Sequence, residues 1–510
     1  MRRLRLAGFI VVVAAAVCGS HLVACGSNSD VSAQLDAKSP VYDPAREPEL
    51  RAALDTYLDL RDDAPETATT ELVAKFVNAG VTADMVETWL RAGRLQYPSV
   101  DELGDLLGRV SEDTVDCYET DYSTRMRVFV PEDYDPSKAW PLVFIGHGGN
   151  SAMSADYAWS TASSYMSAYR KALGVDGHRI LVAPATTVGW NGVGNVLMFS
   201  AISKMARKFH IDPDRVYVVG QSMGGHLSYR AALHLGDRFA AFSPQSGGYD
   251  YAGATQGGTI SNLFITSAYV TYGQKAFGEL YDLEEVNILN RRWVEQHGYD
   301  WTFVSKQGGH DIYADEQPKV SAFFDAHTRD MYRARTYYKG WGALKFVREQ
   351  LDTWDRGYEA IGNREFRWNM HNYLEVTPRP DMASGEKQLS YGEVKPGNLI
   401  EVTTQNIQHL RVYLHPRMGI DLAKPVRIVV NGDELWNKVV ADNMATMLDL
   451  TRKYDDRGRI FRAAVDLDIV TSVEVPDPVI PEGVKMFDAG AEDASSVDAS
   501  GADAGGGDAQ

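Results

Sequence analysis

Between residues 141 and 306, short unbroken apolar runs alternate with segments of helical period, and few folds accept that pattern. The runs are "PLVFIG", "RILVAP", "RVYVVG", "FAAFSP", "NLFITS" and "WTFVSK". A strand that is apolar on both sides must be covered on both sides, which calls for a parallel sheet sandwiched by helices. The intervening segments can supply the cover: Phe199, Ile202, Met205, Ala206 and Phe209 fall on one helical face. With the strand-like "RMRVFVP" ahead of them, these elements predict an α/β domain over residues 114–335.

A chain of 510 residues exceeds what one hydrophobic core usually organises, so further units are expected. Leu50, Leu54, Leu58, Leu72, Phe76, Met85 and Trp89 recur at helical spacing and predict a helical region over 49–113. Such a region could cap a site, dock a partner or simply pack. After a connecting segment, 336–362, the strand-like "NLIEVTTQ", "HLRVYLH" and "VRIVVNGDEL" predict a small β domain over 363–472. Asn431 and Gly432 mark a hairpin turn in it. The tail, 473–510, is mostly Asp, Ala, Gly and Ser and is expected to be disordered.

The N-terminus has the composition of an export signal. Arg2, Arg3 and Arg5 precede the apolar "AGFIVVVAAAV", and "LVAC" then ends at Cys25. This resembles the lipobox of bacterial lipoproteins. The resemblance implies a signal peptide over 1–24, lipid on Cys25, and a polar tether over 25–48. The expected location is the bacterial cell envelope, facing periplasm or exterior, with membrane contact through the lipid alone. An uncleaved anchor helix is the other reading, but Ser20 and His21 interrupt the apolar stretch. Cys117 is left without a disulfide partner and is expected to pack in the core. A formal net charge of −18 argues against nucleic acid as a partner.

One strand-to-helix junction carries a chemical signal. Gly220-Gln221-Ser222-Met223-Gly224 follows a buried strand and opens an amphipathic helix. That is the context in which a G-x-S-x-G turn exposes its serine as a nucleophile. A second strand ends in His147-Gly148-Gly149-Asn150, whose backbone N–H of Gly148 or Gly149 could join that of Met223 as an oxyanion hole. A third, "WTFVSK", runs into a glycine loop ending at His310, the expected general base. His147, His226 and His297 are expected to pack or lie at the surface, as are Trp159 and Trp190, although either tryptophan could line an acyl pocket.

These stretches, with "DRFAAFSPQSGG" and "GYDWTFVSKQGGHD", resemble the α/β-hydrolase superfamily over roughly Cys117 to Phe324. Within it they are most similar to secreted esterases of the polyhydroxybutyrate depolymerase and feruloyl esterase type and to peptidases of the prolyl oligopeptidase clan. "LRVYLHPRMGIDLAKPVRIVVNG" resembles a small β domain that trails some such hydrolases. The family places an aspartate in an H-G-x-x-D loop after the strand matched by "NLFITS". Here "SAYVTYGQKAFGELYDLEE" offers no acid before Glu279, so Glu279 and Asp282 are joint candidates. Asp300 precedes its strand and lies at the wrong end of the sheet. The resemblance implies a serine hydrolase acting on an ester, small or polymeric, with no cofactor and no metal. A peptidase or amidase using the same parts is the alternative. A surface binding protein with an impaired hydrolase fold is the third reading, favoured by the missing aspartate.

Overall fold

The computed structural model describes residues 40–61, 64–117, 122–150, 153–190, 193–248, 260–341, 370–380, 386–475 and 478–479. The leader, Cys25 and most of the tether and tail therefore lie outside the described residues.

The central sheet has eight strands: β1 (Val110–Asp116), β2 (Ser123–Phe129), β3 (Trp140–Gly146), β4 (Ile180–Pro184), β5 (Ile211–Gln221), β6 (Ala241–Gln245), β7 (Ala268–Gly273) and β8 (Trp301–Lys306). Their order is β1-β2-β4-β3-β5-β6-β7-β8. From β4 to β8 neighbouring strands are parallel, while β2 runs antiparallel to both β1 and β4. Every residue of β3, β4, β6 and β7 is buried, whereas in the edge strand β8 only Trp301 is buried. Helices Ala155–Tyr169, Val193–Lys208, Met223–Leu235, Leu283–His297 and Gln317–Asp325 follow β3, β4, β5, β7 and β8 respectively. The architecture is the helix-covered, mostly parallel sheet expected from the pattern of apolar runs, ordered as the resemblance to α/β-hydrolases implies, with additional C-terminal β sheets.

Four sequence expectations differ from the structure in detail. "NLFITS" is no strand: Ile260–Ile265 forms a 3-10 turn, and β7 begins at Ala268. Both segments are wholly buried, so apolar character alone could not distinguish them. The first sheet strand starts at Val110, before the expected boundary at 114. The connecting segment opens with a strand, Arg335–Trp341, which pairs antiparallel with Lys387–Lys395. Finally, two residues of the expected tail are packed: Val475 is buried in the main core, and Tyr299 donates to the carbonyl of Pro478.

Arg335–Trp341 is one edge of a five-stranded sheet, which with a four-stranded sheet forms the C-terminal unit. Asn431 and Gly432 both adopt positive φ between Val426–Val430 and Asp433–Lys438, as their hairpin turn requires. The unit also contains a helix, Met444–Tyr454. Against this helix the N-terminal helices Glu47–Asp59, Ala68–Asn78 and Ala83–Arg91 bury Leu50, Leu54, Phe76, Val86 and Leu90 in one cluster with Met447, Leu448 and Ile460. Burying each such side chain is worth roughly 1.5–3 kcal/mol. Of the three roles open to the helical region, packing is the one observed.

Buried ion pairs tie the C-terminal unit to the sheet. Arg329, after the last helix, meets Asp456 at 2.6 Å and Asp214 at 2.9 Å, and Arg459 meets Asp237 at 2.8 Å.

Candidate active site

Ser222 sits between β5 and the helix Met223–Leu235, with φ 57° and ψ −120°. That left-handed backbone costs a non-glycine residue roughly 1–3 kcal/mol and persists only where surrounding contacts impose it. Here they are explicit. The Ser222 N–H donates to the carbonyl of Gln245 at the end of β6, and the Ser222 carbonyl accepts from His226 N–H as the helix begins. The flanking glycines are required by backbone contact: a Cβ on Gly224 would lie 1.9 Å from the Gly146 carbonyl oxygen, and one on Gly220 would lie 2.6 Å from the same atom. Gly224→Ala should therefore force β3 and the helix apart, at a cost of about 3 kcal/mol or more. A denaturant midpoint unchanged in that variant would show the elbow to be looser than described. The Ser222 side chain is partly exposed, not walled in by core atoms.

The loop after β3 lies directly against this turn. A Cβ on Gly148 would stand 3.2 Å from Ser222 Cβ and 2.2 Å from the Tyr165 hydroxyl oxygen, so a larger residue would have to displace the Tyr165 side chain. Gly149 follows at φ 119°, the left-handed half of conformational space. His147 is fully buried beneath the loop, contrary to a surface role. Its Nε2 accepts from Thr186 N–H at 2.9 Å, so Nδ1 carries the proton and donates to the Gly148 carbonyl at 2.7 Å. Burial pushes His147 down to about 4, against the opposing effect of the Gly148 hydrogen bond, so the ring is neutral at neutral pH. Trp190, also buried, donates its indole N–H to the His147 carbonyl at 2.8 Å. It therefore braces the loop. Trp159 is partly exposed, stacked between the guanidinium groups of Arg125 and Arg127.

His147→Ala would strip the Gly148–Gly149 loop of this support. We expect kcat to fall roughly 10- to 100-fold, as for a misplacement of about 1 Å, with little change in KM. Steady-state kinetics on a soluble ester would check it; an equal rise in KM would point to lost substrate binding instead.

His310 and Glu279 come together through a second set of close backbone contacts. A Cβ on Gly273, the last residue of β7, would lie 2.4 Å from the carbonyl oxygens of both Gly308 and Gly309. The loop after β8 thus rests on the loop after β7, and Gln274 N–H donates to the Gly308 carbonyl at 3.0 Å. This places His310 Nδ1 2.6 Å from Glu279 Oε1. The Glu279 carboxylate also accepts from Gly273 N–H at 2.6 Å, Ser246 Oγ at 2.9 Å and Leu280 N–H at 3.0 Å. Burial alone would raise its pKa, but these hydrogen bonds, His310 foremost, outweigh it and hold the carboxyl below its ordinary range.

Of the two candidate acids, then, Glu279 reaches His310 and Asp282 does not. Asp282 is exposed and pairs with Lys275 at 3.1 Å, because the chain turns outward before the helix Leu283–His297. Asp300 is occupied by Ser267 and His327, at 2.7 and 3.0 Å.

With Nδ1–H donating to a carboxylate, His310 Nε2 holds a free lone pair. That atom is buried and has no hydrogen-bond partner among the described residues, so no bond to Ser222 Oγ is closed in this conformation. Such bonds are commonly long before substrate binds. One observation sets His310 beside the elbow. Ser246, next to the Gln245 that holds Ser222 N–H, hydrogen-bonds Glu279 and lies 3.4 Å from the Asp311 carbonyl. Ser246, at φ 37°, escaped the sequence reading. Its place in "SPQSGG" after an apolar run was the only signal.

No cluster of three or more His, Cys, Asp or Glu side chains suited to a metal occurs among the described residues. The arrangement can polarise a serine and hold a developing oxyanion with backbone N–H groups.

Residues 198–293 match the prolyl oligopeptidase family model. Over 123 residues, 23% of this chain and 44% of the relative, the chain is 30% identical to a probable feruloyl esterase C of Aspergillus terreus. It thus spans less than half the length of that curated relative. Among solved structures, a thermostable esterase is 18% identical with a TM-score of 0.36, covering 44% of this chain and 64% of its own. A ferulic acid esterase is 15% identical with a TM-score of 0.35, covering 42% and 97% respectively. The sheet topology, the serine elbow and the matched segment that spans it support membership of the α/β-hydrolase superfamily, among relatives that are serine hydrolases.

Proposed function

We propose that this chain is an exported, lipid-anchored serine hydrolase that cleaves carboxylic esters through an acyl-enzyme on Ser222. Ser222 Oγ attacks the ester carbonyl carbon while His310 Nε2 takes its proton. The tetrahedral oxyanion is held by the N–H of Met223 and that of Gly148 or Gly149. Collapse expels the alcohol, which takes the proton back from His310, and water repeats the sequence to release the acid. Glu279 stays ionised throughout, orienting the imidazole and stabilising its cation.

The observation that carries this reading is the 2.6 Å contact of His310 Nδ1 with a buried, hydrogen-bonded Glu279, which leaves Nε2 as a free base. It also removes the main support for an idle hydrolase fold, namely the absence of an acid. The match of residues 198–293 to the prolyl oligopeptidase family favours a peptidase or amidase as the second reading. A panel of p-nitrophenyl esters and peptide p-nitroanilides separates the two: the ester reading requires the larger kcat/KM on esters. Membrane placement rests on Cys25 and the leader before it. Palmitate incorporation in a bacterial host, lost in Cys25→Ala, tests that part.

A further inference from the structure

The helix that begins after Ser222, Met223–Leu235, presents His226, Arg230 and His234 at four-residue spacing along one face. His226 Nδ1 lies 2.7 Å from the Gly248 carbonyl. Its pKa is lowered by burial first, then by the charges of Arg230 and His310. Burial pushes His234 down to about 3. Both rings are therefore neutral at neutral pH, and the cation between them is alone.

Three other arginines with buried side chains meet carboxylates: Arg179 meets Asp325 at 2.5 Å, Arg329 meets Asp456 and Arg459 meets Asp237. Arg230 has no such partner among the described residues, and burial alone pushes it down to about 10. Its Nε is sealed from solvent without a hydrogen bond, although the residue as a whole is partly exposed. An uncompensated guanidinium in such a position is costly unless an anion completes it. Arg230 is eight residues beyond Ser222, roughly 12 Å along the helix axis, and helical side chains lean back toward the N-terminus, here toward His226 and the serine.

We propose that Arg230 is a carboxylate-binding site beside Ser222, and that the ester cleaved carries a second, free carboxylate. The substrate part of this inference rests on the ester-hydrolase reading above. A planar guanidinium fork matches a carboxylate in two parallel hydrogen bonds. One fixed positive charge between neutral imidazoles suits a monoanion better than a phosphate dianion. On a chain of net charge −18, a local cation is also what would hold an anion near the nucleophile.

The test uses the full chain carrying Ser222→Ala, so that nothing is turned over. Its probes are methyl hydrogen succinate and the neutral dimethyl succinate, compared by calorimetry. We expect the anion to bind at least about tenfold more tightly than the diester, that preference to vanish in Ser222→Ala/Arg230→Met, and part of it to survive in Arg230→Lys. Equal affinity for the two probes, or a preference that survives Arg230→Met, overturns the proposal. Arg230→Met should melt no lower than its parent, since it removes an uncompensated charge; a clearly lower Tm would reveal a structural partner and equally overturn it. Binding to the alanine variant needs no hydrolysis. A wild type active on esters with no anion preference therefore sinks only the carboxylate site, and anion binding by a chain that cleaves no ester sinks only the ester reading.

Discussion

Ser222→Ala should lower kcat/KM on a p-nitrophenyl ester by about 10⁵- to 10⁶-fold, leaving only what binding and the oxyanion donors achieve without a nucleophile. The fold should survive, because the substitution removes one partly exposed oxygen that makes no hydrogen bond on which the turn depends. The turn is held by the backbone bonds of Ser222 to Gln245 and His226 and by the Gly146–Gly224 approach, which alanine leaves intact. Stability should stay within about 0.5 kcal/mol of the parent. A fluorophosphonate probe should label the parent and not the variant. Activity within tenfold of the parent would remove Ser222 from the mechanism.

Glu279→Gln should cost roughly 10³- to 10⁴-fold in kcat, with KM little altered. The amide keeps the shape of the side chain but loses the charge that stabilises the His310 cation. It also turns an N–H₂ toward a position where Gly273, Ser246, Leu280 and His310 all require an acceptor. Asp282→Asn is the matched control and should change kcat by less than about twofold, as an exposed pair with Lys275 contributes little. Equal losses in the two variants would overturn the assignment of the acid. Stability should also depend on pH in a defined direction. Folding lowers the Glu279 pKa, so the stabilisation from its ionised form is complete above the ordinary value of 4.5. It is lost as pH falls through the lower folded value. Glu279→Gln should therefore be less stable than the parent at neutral pH and converge with it in acid, which denaturant titrations at several pH values would measure.

The position of the acid also shows where reasoning from residues alone stops. Within "GELYDLEE" both Glu279 and Asp282 stand at workable distances along the chain from His310, and nothing local separates them. The choice is made by glycines far apart in sequence. Gly273, Gly308 and Gly309 let two loops touch backbone to backbone, which turns Glu279 inward and leaves Asp282 in solvent. The same limit explains "NLFITS". Ile260–Ile265 and Ala268–Gly273 are equally buried, and only pairing with β6 and β8 makes the second a strand.

The sequence by itself determined the α/β sheet, the serine turn, the glycine loop after β3 and the histidine after β8. Each is written in a short window, by backbone freedom at glycine and by the period of apolar residues, and short-range sterics act before any tertiary contact forms. Only the tertiary structure decided which carboxylate meets His310, that His147 and Trp190 brace the loop from below, that the helical region packs on Met444–Tyr454, and that Arg230 lacks a counter-charge among the described residues. These are pairings between residues tens to hundreds of positions apart. Their energies depend on distance and on exclusion of water, quantities that exist only once the chain is folded.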